Sequence, residues 1–502
     1  MVKTQKHQVG THIGRHIVTG LLCLLILIGY LCFFSGRWYV RVYGRIGFDS
    51  VLYTLTASLG GVQKGLISDY LLTGALPALL CSAATALLLF FPWKKLRFLK
   101  RWLCITVSIA LSLSLIAYAA FDVELVDYLI ASSQNSAIFD REYRDPKDVS
   151  IRFPAEKRNL IYIMLESMET TYLSKDLGGA MDTNLMPELT QLAKDNINFS
   201  QNDSVGGFQE VPGSGWTIGA MVAQTAGVPL KTPENLADRF NGYGKDGVFL
   251  PGLTSLTDVL NENGYYQALM VGSDIRFGGR DVYYNTHGLD AVYDLYTARK
   301  DGIIPSDYFQ WWGMEDLHLF NYAKQVLPEL AAKDQPFAFT MLTVDTHHVG
   351  GFKCALCGSD HEENYSNAIA CSSKQVYEFI EWCKQQPFYE NTTIVIVGDH
   401  RTMDNGYISR NVEEGYVRRI YNCFINSAAT PVQSKNREMT TVDLFPTTLA
   451  ALGCTIEGDR LGLGVNLFSK LPTLAERIGY DSFCKEVEKD SEFYANHFFT
   501  KN

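Results

Sequence analysis

The sequence predicts an α/β domain with a central, mostly parallel sheet, preceded by a membrane anchor of about three transmembrane helices. Three observations carry that reading. Apolar residues of the 502-residue chain pile up ahead of Asp122. Beyond it, short continuous apolar runs alternate with helical patterns. The ends of those runs are rich in carboxylates and imidazoles. A composition of 47% hydrophobic and 20% charged residues is ordinary for a folded protein. The formal net charge of -10 argues against a general nucleic-acid binder, which carries a basic face.

The anchor comes first. Ile17 to Phe34, Tyr70 to Pro92 and Trp102 to Phe121 are uncharged apolar runs, each long enough to cross a hydrocarbon core of about 30 Å as a helix. A cleaved signal peptide is the alternative for the first run, but no small-residue cleavage site follows it. Lys94, Lys95, Arg97, Lys100 and Arg101 between the second and third runs favour the cytoplasm, and Lys3, Lys6 and Arg15 agree. Arg37, Arg41, Arg45 and Lys64 weaken this bias without reversing it. An inside N-terminus then places everything after Asp122 outside. Phe48 to Ile67, interrupted by Gly60 and Gly61, is expected to be an interfacial segment rather than a fourth span.

The expected organisation is therefore a membrane anchor over 1–121, a linker over 122–157 and an extracytoplasmic domain over 158–502. The linker is polar and mixed in charge, with Asp145-Pro146-Lys147-Asp148 near its end. Cys23, Cys32, Cys81 and Cys104 lie in the spans as small apolar residues. Cys354, Cys357, Cys371, Cys383, Cys423, Cys454 and Cys484 lie in the outer domain, where an oxidising compartment permits disulfides. Cys354, Cys357 and Cys371 are the first candidates. A structural disulfide is preferred to half a zinc site, because no second pair follows at matching spacing, and an odd count leaves at least one thiol free.

In the outer domain, Asn159 to Leu165, Tyr266 to Val271, Phe337 to Val344 and Thr393 to Val397 read as buried strands. Met186 to Lys194, Leu253 to Asn263, Leu317 to Ala332 and Ser373 to Gln386 carry helical patterns between them. Functional groups in such sheets gather at the carboxyl ends of the strands. The first strand ends in Glu166-Ser167, the third in Asp345-Thr346-His347-His348 and the fourth in Gly398-Asp399-His400-Arg401. One Asp-His pair after a strand is as readily a structural cap as a ligand pair. Three such ends together favour convergence on one divalent cation.

Gly213-Ser214-Gly215-Trp216-Thr217 is a glycine-rich turn leading into a helix, with Thr217 at or near its first turn. A helix N-terminus offers unclaimed N–H donors to a phosphate or sulfate. Thr217 or Ser214 is otherwise an ordinary N-cap, or Thr217 is a nucleophile activated by a nearby metal. Thr170 and Thr171 follow Glu166 closely and compete for that role, although a packing function fits them better.

Taken together, these pieces resemble the alkaline phosphatase and sulfatase superfamily, and within it the lipoteichoic acid synthase and phosphoglycerol transferase group, over roughly residues 156–470. Leu165-Glu166-Ser167 is similar to the first metal-ligand motif, and Met186 to Ala193 to the helix that follows it in sulfatase-like proteins. Gly215-Trp216-Thr217 resembles the nucleophile motif of transferases acting on periplasmic glucans. His347 matches the substrate-binding histidine, and Gly398-Asp399-His400 the paired metal ligands. Val442 to Thr447 and Leu461 to Gly464 resemble the C-terminal landmarks. Thr217 lies in no Pro-Ser-Arg-like context for formylglycine formation, which speaks against sulfate ester hydrolysis. Arg280 in Phe277-Gly278-Gly279-Arg280 matches a phosphoglycerol-contacting arginine, but Gly278 takes the place of an aromatic partner.

The resemblance implies an alkaline-phosphatase-like fold and a phosphoglycerol transferase of the inner (cytoplasmic) membrane. Its catalytic residue would be Thr217, and its single divalent metal would be bound by Glu166, Thr217, Asp399 and His400. Manganese is the first expectation, with magnesium or zinc as alternatives. His347 and Arg280 would bind substrate. The implied donor is the phospholipid phosphatidylglycerol, and the implied acceptor an extracytoplasmic glycan or glycerophosphate polymer. A phosphoethanolamine transferase, or a phosphodiester hydrolase on the same fold, is the alternative.

Overall fold

The protein is described by a computed structural model covering residues 2–45, 47–56, 64–90, 97–232 and 247–500. The expected interfacial stretch is only partly covered. Phe48–Thr56 forms a helix, whereas 57–63 lie outside the described residues, as do Lys94, Lys95 and the last two residues of the second apolar run. The chain divides into two units, 1–48 with 62–129, and 49–61 with 130–502.

The first unit is helical. Val2–Tyr43 and Arg97–Asp122 are continuous, and a π turn at Leu71–Ala75 joins Lys64–Tyr70 to Leu76–Phe90. Among the described residues, three helices are long and apolar enough to cross a membrane, at His16–Tyr43, Gly65–Phe90 and Trp102–Asp122. Small residues let them approach. A Cβ on Gly29 would lie 3.0 Å from the Ser112 Cα. Polar side chains pair with one another: Trp38 Nε1 donates to Asp69 Oδ2 (2.8 Å), and Arg41 Nη2 donates to Thr73 Oγ1 (2.8 Å).

The second unit is built on a seven-stranded sheet. Its strands include β1 (Ile151–Arg152), β2 (Asn159–Leu165), β3 (Gly207–Phe208), β4 (Tyr266–Val271), β5 (Ala291–Tyr293), β6 (Phe337–Leu342), β7 (Thr392–Gly398), β8 (Ile420–Ile425) and β9 (Thr455–Ile456). The main sheet runs β3-β8-β7-β2-β6-β4-β5, while β1 pairs with β9 outside it. Five neighbouring strands, β7 to β5, are parallel; at one edge β8 runs antiparallel to β7, and β3 antiparallel to β8. The sheet is therefore mixed, as an antiparallel edge on a parallel sheet commonly is. Central β2 and β7 are buried on both faces, which explains their unbroken apolar sequences. Separate apolar cores cover the two faces.

The segment 122–157, read from the sequence as a linker, carries the helices Leu125–Ser132 and Ile138–Glu142. Phe139 is fully buried against Tyr494 and Phe498. Glu142 pairs with Arg460 and Arg477, and Ile151 sits opposite Ile456. The helix expected from Ser373 begins nine residues earlier, at Asn364, and runs to Lys384. Its first turns bury Tyr365, Ala368, Ile369 and Ser372, a helical spacing that small and polar residue types conceal in the sequence.

Candidate metal centre and nucleophile

The registers place three strand ends side by side: Met164 of β2 sits opposite Leu342 of β6 and Val397 of β7, and Leu165 opposite Gly398. The residues that follow are laced together. Glu166 N donates to Thr343 Oγ1 (2.9 Å), Ser167 N to Asp399 Oδ1 (2.8 Å) and Asp399 N to the Leu165 carbonyl (3.0 Å). Ser167 adopts a left-handed φ of 53°, a conformation costly for a side chain with a Cβ and held here by its neighbours' hydrogen bonds. The turn directs the Glu166 carboxylate toward the end of β7.

Glu166, Asp399 and His400 are all buried, and one ligand atom from each lies within 4.8 Å of the others. His400 Nε2 is 3.5 Å from Glu166 Oε1 and 3.3 Å from Asp399 Oδ2. His400 Nδ1 lies 2.9 Å from the Arg401 carbonyl, which can only accept, so the Nδ1–H donates. Deprotonation would therefore leave the Nε2 lone pair facing the two carboxylates, the tautomer of a metal-ligating histidine. Asp399 Oδ2 accepts no hydrogen bond although it is buried.

The electrostatics of the cluster favour a bound cation. Burial, and then the Asp399 carboxylate, push Glu166 up to about 8. Burial lowers His400, but Asp399 and Glu166 outweigh it and raise it to about 9. Two buried carboxylates and an imidazole at such separations fit a divalent cation with oxygen and nitrogen ligands. The donor set suits manganese, magnesium or zinc.

Thr217 opens the helix Thr217–Ala226, with Trp216 in extended conformation before it. Its Oγ1 lies 3.5 Å from His400 Nε2, so it joins the carboxylate cluster. Ala220 N donates to the Trp216 carbonyl (2.8 Å), and the amides before it have no acceptor within the helix. Two glycines make the turn: a Cβ at Gly213 (φ 86°) would lie 2.5 Å from the Leu230 carbonyl oxygen, and one at Gly219 2.5 Å from that of Gly213. Gln224 locks the helix beneath β7. Its amide donates to the carbonyls of Gly398 and Asp399 (3.0 Å each) and accepts from Tyr162 OH (3.1 Å).

Arg280 is buried, donating from Nη2 to Ser273 Oγ (2.9 Å) and the Asp274 carbonyl (2.7 Å), while its Nε–H donates to no partner. Burial lowers it to about 10, against the opposing field of Glu166 and Asp274. Burial, reinforced by the neighbouring His400 and Arg280 charges, lowers His347 to about 3, so it is neutral. Its Nδ1 lies 2.6 Å from the His348 carbonyl and donates to it, which leaves Nε2 as an acceptor. Asp345, at the same strand end, goes elsewhere. It accepts from Asp316 N (3.1 Å) and donates its own amide to Asp316 Oδ2 (3.2 Å).

Several residues at the site carry no local sequence signal. The Trp312 ring packs on His347 at 4.5 Å, and Phe277 packs on Trp312 at 5.4 Å, so aromatic surface reaches the site although Gly278 has none. Tyr53 OH donates to the Gly278 carbonyl, and its ring lies 5.9 Å from Trp216. Glu210 accepts from both the amide and the Nε of Arg401, the latter at 2.7 Å. The Thr170 and Thr171 hydroxyls donate to the Arg419 carbonyl (3.2 Å) and to Glu169 Oε2 (2.7 Å), a packing role.

An α/β sheet with a carboxylate–imidazole cluster at its carboxyl edge, faced by a helix that begins on a hydroxyl residue, defines the alkaline-phosphatase-like class. The chain matches the Sulfatase family over residues 158–454 and belongs to it. It is 32% identical over 368 residues to phosphoglycerol transferase I of Citrobacter koseri, an alignment covering 71% of this chain and 45% of that protein. The chain thus spans less than half the length of that relative. A Vibrio parahaemolyticus protein of the alkaline phosphatase superfamily shares the fold, with a TM-score of 0.50 and 18% identity over 70% of this chain and 79% of that one. So does the integral membrane lipooligosaccharide phosphoethanolamine transferase A of Neisseria meningitidis, with a TM-score of 0.50 and 14% identity over 87% of this chain and 84% of that one.

Proposed function

We propose that this chain is a membrane-anchored phosphoglycerol transferase. It would move phosphoglycerol from phosphatidylglycerol to an extracytoplasmic glycan or glycerophosphate acceptor, releasing diacylglycerol. The observation that carries this reading is the Thr217 hydroxyl, at a helix N-terminus and 3.5 Å from His400 Nε2 in the carboxylate cluster. The similarity to phosphoglycerol transferase I supports the choice of transferred group.

Glu166, Asp399, His400 and Thr217 would hold one divalent cation, manganese first. When bound, it would lower the pKa of the threonine hydroxyl and offset charge on phosphoryl oxygens. Thr217 Oγ attacks phosphorus, the new O–P bond replaces the bond to diacylglycerol, and the leaving oxygen takes up a proton. The unclaimed amides at the start of the Thr217–Ala226 helix donate to the phosphoryl oxygens. Arg280 holds the same oxygens as a fixed cation with an unused Nε–H. His347, neutral with Nε2 as acceptor, takes a hydrogen bond from a glycerol hydroxyl. An acceptor hydroxyl then displaces Thr217 from phosphorus, giving ping-pong kinetics.

The three apolar helices support a site kept close to a bilayer-bound donor. The charge bias of their loops supports an inner-membrane protein whose catalytic domain lies outside the cytoplasm. The test is full-length protein with manganese and labelled phosphatidylglycerol, read as diacylglycerol release. Release that requires the metal and is lost in Thr217→Ala supports the proposal. Release from phosphatidylethanolamine alone transfers it to phosphoethanolamine chemistry, and release unaffected by Thr217→Ala refutes the nucleophile.

A further inference from the structure

A second group of metal-ligating side chains lies away from the carboxylate cluster, between the loop after β6 and the Asn364–Lys384 helix. Cys354, Cys357 and Cys371 are free thiols, and their sulfurs all lie within 4.8 Å of one another. We propose that these three sulfurs form a separate thiolate site for a zinc-type cation, with the Gln375 carboxamide at the fourth vertex.

The spacing is the first argument. Cys354 Sγ lies 3.7 Å from Cys357 Sγ and 3.8 Å from Cys371 Sγ. A tetrahedron with metal–sulfur bonds of about 2.3 Å has an edge of about 3.8 Å. The Gln375 amide nitrogen lies 3.7 Å from Cys354 Sγ and 3.5 Å from Cys371 Sγ. Oxygen and nitrogen of such an amide exchange places by a half-turn. With metal–oxygen bonds of about 2.1 Å, an oxygen at that vertex would stand about 3.6 Å from each sulfur.

Local backbone is the second argument. Cys354 and Cys357 flank a tight turn closed by Cys357 N donating to the Cys354 carbonyl (3.1 Å). Cys354 and Cys371 are buried, and so is Gln375. A disulfide would use two of these sulfurs and strand the third beside it, whereas one cation uses all three. Binding exchanges the thiol protons for the cation, so protons are released and no oxidant is needed. The sequence alone favoured a disulfide because it showed no second Cys-x-x-Cys pair. The fold supplies the missing ligands from one helix, at positions 371 and 375, one turn apart.

The site would tie the loop carrying His347 to the following helix, alongside the hydrogen bond from Asn364 Nδ2 to the Gly350 carbonyl (2.8 Å). The test is full-length protein purified in detergent without chelator or reductant, in three forms: wild type, Cys357→Ser and Cys371→Ser. Bound zinc should fall by one equivalent per chain in Cys371→Ser. Cobalt-loaded wild type should show sulfur-to-cobalt charge-transfer absorption that both variants lose. If the variants do not fold, thiol alkylation of the wild type decides. Under denaturing conditions with chelator and no reductant, all three cysteines should label. Two that label only after reduction form a disulfide and overturn the proposal, as does zinc content equal in wild type and variants.

Discussion

Replacing Gln224 with leucine roughly keeps the side-chain volume and removes three hydrogen bonds from a residue with no solvent exposure. The lost contacts are those to the Gly398 and Asp399 carbonyls and the one accepted from Tyr162 OH. A buried polar group left without a partner costs about 1–3 kcal/mol. One amide serves both carbonyls, and Tyr162 has Thr448 as a second neighbour, so the sum is about 3–5 kcal/mol. The substitution also frees the helix that holds Thr217 from the strand end that holds Asp399. The expected result is a lowered denaturation midpoint together with a loss of turnover at temperatures where the variant is still folded. Far-ultraviolet dichroism against denaturant, with diacylglycerol release measured alongside, reads both. A midpoint and turnover indistinguishable from wild type would refute this account of how Thr217 is positioned.

Metal binding should depend on pH with a definite sign. In the metal-free chain Glu166 titrates at about 8 and His400 at about 9, and both must be deprotonated to act as ligands. Manganese affinity should therefore rise by up to about 100-fold per pH unit below pH 8 and about tenfold per unit up to 9, then level off. Calorimetry in buffers of different ionisation enthalpy counts the released protons, and an affinity flat from pH 6 to 8 would contradict the cluster. Arg280→Lys loses the planar donor set that reaches Ser273 and Asp274 and should lower kcat/KM by about tenfold to 100-fold, 1.4 to 2.7 kcal/mol of transition-state binding; an unchanged value would remove Arg280 from the site. Trp312→Ala takes away the ring that supports His347, so KM for the lipid donor should rise more than kcat falls, as steady-state kinetics would show.

Much of the site is visible in the sequence because its parts are local. Glu166, Asp399 and His400 each follow a buried apolar strand directly, and Thr217 follows a glycine turn whose steric need is absolute at Gly213. What the sequence hides is support that comes from far along the chain. Gln224 meets residues more than 170 positions away, and Glu210 meets Arg401 at a similar remove; no periodicity encodes such pairings. The antiparallel strand β8 escaped notice because Ile420–Ile425 contains Asn422 and Cys423. Asn422 is satisfied by the Phe199 amide and carbonyl (2.9 Å each). The residues of 122–157 looked like a linker for the opposite reason, since Phe139 and Glu142 find their partners only in the last fifth of the chain.

The central claim is a covalent intermediate on Thr217. Full-length protein incubated with manganese and phosphatidylglycerol, without acceptor, then acid-quenched and digested, allows the peptide containing Thr217 to be weighed by mass spectrometry. The account predicts a glycerophosphoryl group on Thr217, present only with metal and discharged when acceptor is added. Diacylglycerol release with Thr217 unmodified, or with the group on Thr170 or Thr171, would contradict it.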